Sequence, residues 1–255
     1  MPSFPPVLTF HDIDKRPSVI SVQPKVFQRG IASLYACGYR TLSQMEVVDI
    51  LNRGVRFPDR CFGITFDDGY QSVYTEAFSV LQHYGMSATV FLTVGEGDTA
   101  RPTGRLPSLD GRSMLSWDEI HEMHQCGIEF GAHTCTHPDL TLIPPHLVKK
   151  EVCDSKAIIE DALGTPVSCF AYPYGRYNYR VRNIVQEHFS CAYSDKLGLI
   201  NKYSDLYAFE RVDAYYLRTD RLFQIMLTRL FPWYLLARSI PRRIRRSLQP
   251  SSGKP

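Results

Sequence analysis

The chain has 255 residues and lacks an apolar run near the ~18 residues that a membrane-crossing helix needs. It has no CxxC pair. Its seven cysteines are odd in number and scattered, which points to free thiols in a reducing compartment rather than a disulfide scaffold. No internal repeat is visible. No Lys or Arg precedes the first apolar stretch of MPSFPPVLTFHDID, and no small-residue cleavage pattern follows it. A cleavable secretion signal is therefore not expected, and the expectation is a cytoplasmic protein. No GxGxxG follows the first strand candidate, which weakens a nucleotide-binding reading. What is present is 44% hydrophobic and 22% charged residues, enough to fill a core and to argue against disorder.

The net charge of +3 conceals an asymmetry. From Arg218 onward nine Lys/Arg face one acid, Asp220, a net of +8. The remainder has 20 basic and 25 acidic residues, a net of −5. In that basic segment Leu222, Met226, Leu230 and Phe231 recur at helical spacing, Pro232 is expected to break the helix, and four arginines lie within Arg242–Arg246. The segment reads as a peripheral membrane contact facing anionic lipid on the inner face of the membrane, or as a helix packed on the body with a loose end. An acidic body argues against nucleic acid.

Strand-like runs alternate with helix-like stretches. The strand candidates are Val7–Phe10, Cys61–Phe66, Ala88–Thr93, Ile128–Ala132, Ser168–Tyr172, Ser190–Ser194 and Leu206–Val212. Helices are expected from Pro24 to Gly38, from Ser43-x-x-Glu46 to Gly54, and from Tyr70 to Gly85. Three more are expected from Ser116-x-x-Glu119 to Gly127, from Pro144-Pro145 to Gly164, and over Tyr179–His188. The two Ser-x-x-Glu patterns are capping boxes, and Pro suits a first helical turn. This alternation implies parallel strands with helical crossovers. The expected architecture is an α/β fold, a (β/α) barrel of about seven parallel strands over residues 1–216, with a basic amphipathic helix and tail over 217–255. The Gly/Pro-rich stretch Val94–Ser113 reads as a long loop of functional interest.

Four features stand at the C-terminal ends of strand candidates. Thr65-Phe66-Asp67-Asp68-Gly69-Tyr70 places two carboxylates beside a turn glycine, which suits a cation and a proton acceptor but also an ordinary turn with a helix cap. His133-Thr134-Cys135-Thr136-His137-Pro138 can present two imidazoles to one metal, or hold two unrelated loop histidines. Phe170-Ala171-Tyr172-Pro173-Tyr174-Gly175 offers aromatic faces and a backbone N–H for an oxyanion, or is a tyrosine-rich turn. His11 ends the first strand. In a barrel these ends share one face, the one that carries active sites. One carboxylate and two histidines leave a coordination position open for water, and a second carboxylate and a third histidine remain for proton transfer. Together they specify metal-assisted hydrolysis.

TFDDGY, HTCTHP and AYPYG, in this order and spacing, resemble the polysaccharide deacetylase family, also called NodB-homology or carbohydrate esterase family four. The resemblance spans roughly Val7 to Tyr216. It implies a distorted (β/α) barrel that removes acetyl groups from N-acetylated, or in some cases O-acetylated, carbohydrate in exopolysaccharide or cell-surface glycan metabolism. It implies Asp67 as general base, and Asp68, His133 and His137 as ligands of one divalent metal, zinc or else cobalt or nickel. Tyr174 is implied to donate its backbone N–H to the oxyanion. Two departures stand out. Ala171 occupies the position where the family commonly has an Arg that steadies the base, and Arg211 is the candidate replacement. The family's late Leu-x-His motif is absent, and the chain resembles the permuted branch in which an early histidine is the general acid; here that is His11. Tyr70, Tyr172, Tyr174 and Tyr177 are candidate contacts to an acetylated saccharide, and Cys135, between the two histidines, is a spectator thiol or a further ligand. The alternatives are a barrel hydrolase of another non-peptide C–N bond, or a catalytically inactive carbohydrate-binding barrel.

Overall fold

Apolar strand runs alternating with helices call for parallel strands with helical crossovers, and the computed structural model, which describes residues 5–96 and 104–248, of which 241–248 by backbone alone, shows that arrangement. Strand β1 (Val7–Phe10) leads into two short strands, β2 (Asp12–Ile13) and β3 (Ser21–Val22), which pair with each other. Helix α1 (Pro24–Ala36), β4 (Arg40–Thr41), α2 (Gln44–Asn52) and β5 (Cys61–Phe66) follow. A π-helical segment, Val73–Phe78, runs into α3 (Ser79–His83). Next come β6 (Thr89–Leu92), α4 (Trp117–Gln125), β7 (Glu129–Ala132), α5 (Pro145–Leu163), β8 (Cys169–Ala171), α6 (Tyr179–His188), β9 (Cys191–Leu197) and β10 (Phe209–Asp213). The described chain ends with α7 (Asp220–Ile225) and α8 (Phe231–Leu248).

The seven strand runs expected from sequence are the seven barrel strands. They pair in parallel in the order β1, β5, β6, β7, β8, β9, β10, and β10 returns to β1, so the barrel closes. Closure removes every free edge of the ring, while β4 adds to the first residues of β5 outside it. Alternate residues divide between two clusters. Leu8, Phe10, Ile64, Phe66, Val90, Leu92, Phe170 and Val212 join the layer under the helices. Val7, Phe91, Cys169, Ala171, Tyr193 and Phe209 fill the interior, which Leu42, Val47, Val48 and Phe57 extend. Gly131 is required by this filling, because a Cβ there would lie 2.5 Å from the Phe91 ring.

Both capping boxes close. Ser43 and Ser116 each accept the backbone N–H of the Glu three residues on, and that Glu accepts the Ser backbone N–H. Three details differ from expectation. The helix after Tyr70 begins with π-helical turns rather than a regular α-helix. Strands β2, β3 and β4 have two residues each, too short to show a period. Pro232 does not break a helix; it sits in the first turn of α8, where its missing N–H costs nothing. Of the expected long loop, 97–103 lie outside the described residues. The rest is tied down: Leu106 and Leu115 bond through their backbones, and Arg112 pairs with Asp12. All seven cysteines are free.

Candidate active site

The site is built at the C-terminal rim, where each strand's alternation delivers one inward side chain after its last paired residue. After Ile64 and Phe66 turn outward, Asp67 points in and is buried. Asp68 has φ 75°, a left-handed conformation that swings its carboxylate away from the direction of its neighbour. On β7 the backbone N–H of His133 bonds the Leu92 carbonyl at 2.9 Å, so the ladder continues into the motif. Thr134 (φ 71°) and His137 (φ 59°) are also left-handed, and the tight turn they make brings the two imidazole centroids to 4.9 Å.

Such a turn needs partners for its inward N–H groups. Glu151, buried on α5, supplies them. Its Oε2 accepts the N–H of Cys135 at 2.7 Å and of Thr136 at 2.9 Å, and its Oε1 accepts the Thr136 hydroxyl at 2.6 Å. The motifs did not reveal Glu151. The available signal was a carboxylate on the apolar stripe of α5, between Val148 and Val152.

Asp68 Oδ1 lies 3.3 Å from His133 Nε2 and 3.4 Å from His137 Nε2. These three ligand atoms lie within 4.8 Å of one another. His133 Nδ1 is 2.7 Å from the Ala171 carbonyl, a contact that orients the ring so that Nε2 faces Asp68. Burial, and then the neighbouring His133, push His137 down to about 4, so its ring is neutral, as a metal ligand must be. Burial raises Asp68, but the His133 hydrogen bond and the surrounding histidine charges outweigh it and hold the carboxylate ionised. One carboxylate oxygen and two imidazole nitrogens, so oriented, fit a divalent cation with open positions.

Asp67 is held differently. Arg211, from β10, donates Nη1 to Oδ1 at 2.7 Å and Nη2 to Oδ2 at 2.8 Å, a bidentate pair with both partners buried. Its Nε donates to the Ser194 carbonyl at 3.0 Å, which fixes the plane of the fork. Burial raises Asp67, but Arg211 foremost, then His133 and His11, bring it below the usual carboxylate value of 3.8. His11 Nε2 stands 3.9 Å from Asp67 Oδ2, and the His11 side chain is less buried than the carboxylate. Thus Asp67, Asp68, His11, His133, His137 and Arg211 converge on one rim.

The tyrosines separate into two groups. Tyr70 and Tyr172 are 1% and 0% exposed, which corrects the expectation that they offer faces to a sugar. The Tyr172 hydroxyl donates to the Tyr207 carbonyl at 3.0 Å. The Tyr70 hydroxyl is buried without a hydrogen-bond partner among the described residues. Tyr174 is 57% exposed and Tyr177 37%. Tyr174 meets His137 edge-on at 4.7 Å and has φ 57° within the Pro173–Gly175 turn. Tyr177 stacks on Tyr172 at 4.9 Å. Gly175 cannot carry a side chain: its φ is 62°, and a Cβ would fall 2.2 Å from Asp195. Burial and the Glu151 charge push Cys135 up to about 12, which keeps its thiol neutral, and its sulfur is not among the grouped ligand atoms of Asp68, His133 and His137.

A closed parallel barrel with two carboxylates, three histidines and an arginine gathered at its C-terminal rim has its polar groups on the face where (β/α) barrels carry active sites. The chain belongs to the polysaccharide deacetylase family, whose sequence pattern matches residues 54–189. It is 29% identical over 208 residues to YxkH of Bacillus subtilis (strain 168), a polysaccharide deacetylase by name, covering 81% of this chain and 70% of that one. Over 116 residues it is 32% identical to the poly-beta-1,6-N-acetyl-D-glucosamine N-deacetylase of Staphylococcus epidermidis, covering 45% of this chain and 37% of that enzyme's length. Among solved structures, the Streptococcus pyogenes deacetylase PplD in complex with acetate superposes with a TM-score of 0.74 at 25% identity, over 84% of this chain and 93% of that one. IcaB from Ammonifex degensii superposes with a TM-score of 0.73 at 26% identity, over 87% and 97%.

Proposed function

We propose that this chain is a metal-dependent hydrolase that removes acetyl groups from an N-acetylated polysaccharide, with an exopolysaccharide of N-acetylglucosamine as the first candidate. The observation that carries this reading is the juxtaposition of two carboxylates with separate tasks. Asp68 shares its oxygen with two imidazoles, while Asp67 is locked by a guanidinium and faces a third imidazole. The choice of polymer is supported by the substrate in the staphylococcal relative's name. Asp68, His133 and His137 would hold the cation, for which zinc, cobalt and nickel all suit the donor set. What a divalent cation supplies when bound there is Lewis acidity toward an acetyl carbonyl and a lowered pKa for water.

The remaining steps belong to the chain's own groups. Asp67, kept ionised by Arg211, accepts the proton of the attacking water. The Tyr174 backbone N–H donates to the oxygen of the tetrahedral intermediate. His11, in its protonated form, delivers a proton to the departing amine nitrogen. The exposed rings of Tyr174 and Tyr177 form an aromatic margin for the sugar.

The test is acetate release from β-1,6-linked N-acetylglucosamine oligomers and from chitooligosaccharides, with and without chelator. Release should stop on chelation and return with zinc, cobalt or nickel. Asp67→Asn should bind metal but lose at least about 100-fold in turnover, the scale of general-base catalysis. His11→Gln should bind metal and lose turnover as well. Metal binding without acetate release from either polymer would overturn the reading in favour of a carbohydrate-binding barrel or another C–N hydrolase.

A further inference from the structure

Helix α8 carries two faces. Phe231, Leu235 and Ser239, spaced by four residues, are buried against the body. Turned away from them, Trp233 is 70% exposed, Leu236 49% and Ile240 52%, and Leu230 just before the helix is 66% exposed. The spacing of Trp233, Leu236 and Ile240 is that of one helical stripe. Four large apolar side chains in one exposed row are more than scattered surface residues.

The charge around the row is of one sign. Arg229 is exposed just before the helix, Arg238 is exposed on the flank where it covers the Tyr234 ring at 5.3 Å, and the sequence of α8 continues with Arg242, Arg243, Arg245 and Arg246. The single acid of the segment, Asp220, is neutralised by Arg29 at 2.7 Å. No helix among the described residues is long and apolar enough to cross a membrane, so α8 is suited to lie on a surface rather than to span one.

We propose that α8 docks this chain onto an anionic phospholipid bilayer, with Trp233, Leu236 and Ile240 entering the headgroup boundary and the net positive charge of the segment drawing it to the anionic surface. An acidic protein surface would satisfy the arginines but not the apolar row, whereas headgroups above acyl chains satisfy both. The helix is also anchored at the rim of the barrel. Tyr234 Oη donates to the Tyr216 carbonyl at 2.6 Å, and Tyr216 lies three residues beyond Asp213, which pairs with Thr9 just before His11. The inference concerns binding alone and stands apart from the proposed chemistry.

Tryptophan fluorescence supplies a direct reading, because the chain has two tryptophans and Trp117 is already buried. The full chain is mixed with vesicles of phosphatidylcholine alone, or of phosphatidylcholine with phosphatidylglycerol, and followed by co-flotation and by Trp emission. Partition should be about tenfold or more stronger into the anionic vesicles, should weaken with added salt, and should shift Trp233 emission to the blue. The double variant Leu236→Ser/Ile240→Ser alters only exposed side chains; it should melt like the wild type and lose about tenfold in partition. Equal partition into both vesicle types, or unchanged binding by the double variant, would overturn the proposal. So would a blue shift that appears without vesicles as protein concentration rises, which would assign the row to a second copy of the chain.

Discussion

Arg211 and Asp67 are 144 residues apart in sequence and share two hydrogen bonds. Nothing local to either residue announces the pair; the clue is Ala171, where the family commonly has an arginine. Burial alone would raise the Asp67 carboxyl, and Arg211 foremost reverses this. The sign for activity follows. As the proposed base, Asp67 must be ionised, so a depressed value keeps the acid limb of kcat/KM low. Arg211→Met leaves burial opposed only by His133 and His11, and the acid limb should move up by about one unit or more, while stability falls by about 3–5 kcal/mol as a buried charge loses its partner. A pH–rate profile together with a melting curve checks both. Glu151 is the second long-range residue. Glu151→Gln turns an amide NH2 or a single carbonyl toward three donors, so the turn bearing His133 and His137 should loosen and zinc affinity should fall about tenfold or more by titration calorimetry. The motif residues Asp67, Asp68, His133 and His137 were legible because they follow directly on two strand runs, β5 and β7. Glu151, and the Arg112 that pairs with Asp12, were not, because their partners lie on other elements. Tyr70 and Tyr172 were misread because a tyrosine at a strand end faces inward or outward according to neighbours that the local sequence does not name.

At the scale of elements, legibility followed the length of the repeating signal. The seven barrel strands were visible as apolar runs bounded by turns, and the helices by their caps. Strands β2, β3 and β4 were invisible because two residues carry no periodicity. Pro232 was misread because the same ring that interrupts a helix interior fits its first turn. The caps also do work beyond their helices. Glu119, which closes the box of α4, accepts the Ser116 N–H at 2.7 Å and also binds Gln71 at 2.8 Å and Arg105 at 3.1 Å. It thereby ties α4 to the segment after Asp68 and to the described end of the long loop. Ser116→Ala should lower stability by about 1 kcal/mol in chemical denaturation, and hydrogen exchange should rise at Gln71 and Arg105. If protection there is unchanged, Glu119 holds those contacts without its cap. Gly175→Ala tests the turn after β8: a left-handed alanine pressed against Asp195 should lose about 2 kcal/mol or more.

For the molecule as a whole, charge and packing divide the chain at different places. Charge changes sign near Arg218, and the sequence alone put the end of the barrel at residue 216. Packing carries the body further. Phe223 of α7 is buried against Gly30 of α1, where a Cβ would come within 2.5 Å of its ring. Asp220 pairs with Arg29 at 2.7 Å, and the Gln224 amide donates to Ser33 at 2.9 Å. Composition could not show this, because a short helix with one core residue looks the same whether it packs or hangs free. The boundary in packing therefore falls within α8, between its buried row and its exposed one. Phe223→Ala removes the ring that fills the notch over Gly30 and should destabilise the fold by about 3–5 kcal/mol, the usual range for a buried Phe. Because α1 begins just after β3, the loss should also be felt beside β1, raising hydrogen exchange around His11. Trp233→Ser, ten residues on and exposed, should leave the melting temperature within about a degree. Equal, small effects of the two substitutions in thermal unfolding would place the limit of the folded body before α7 instead.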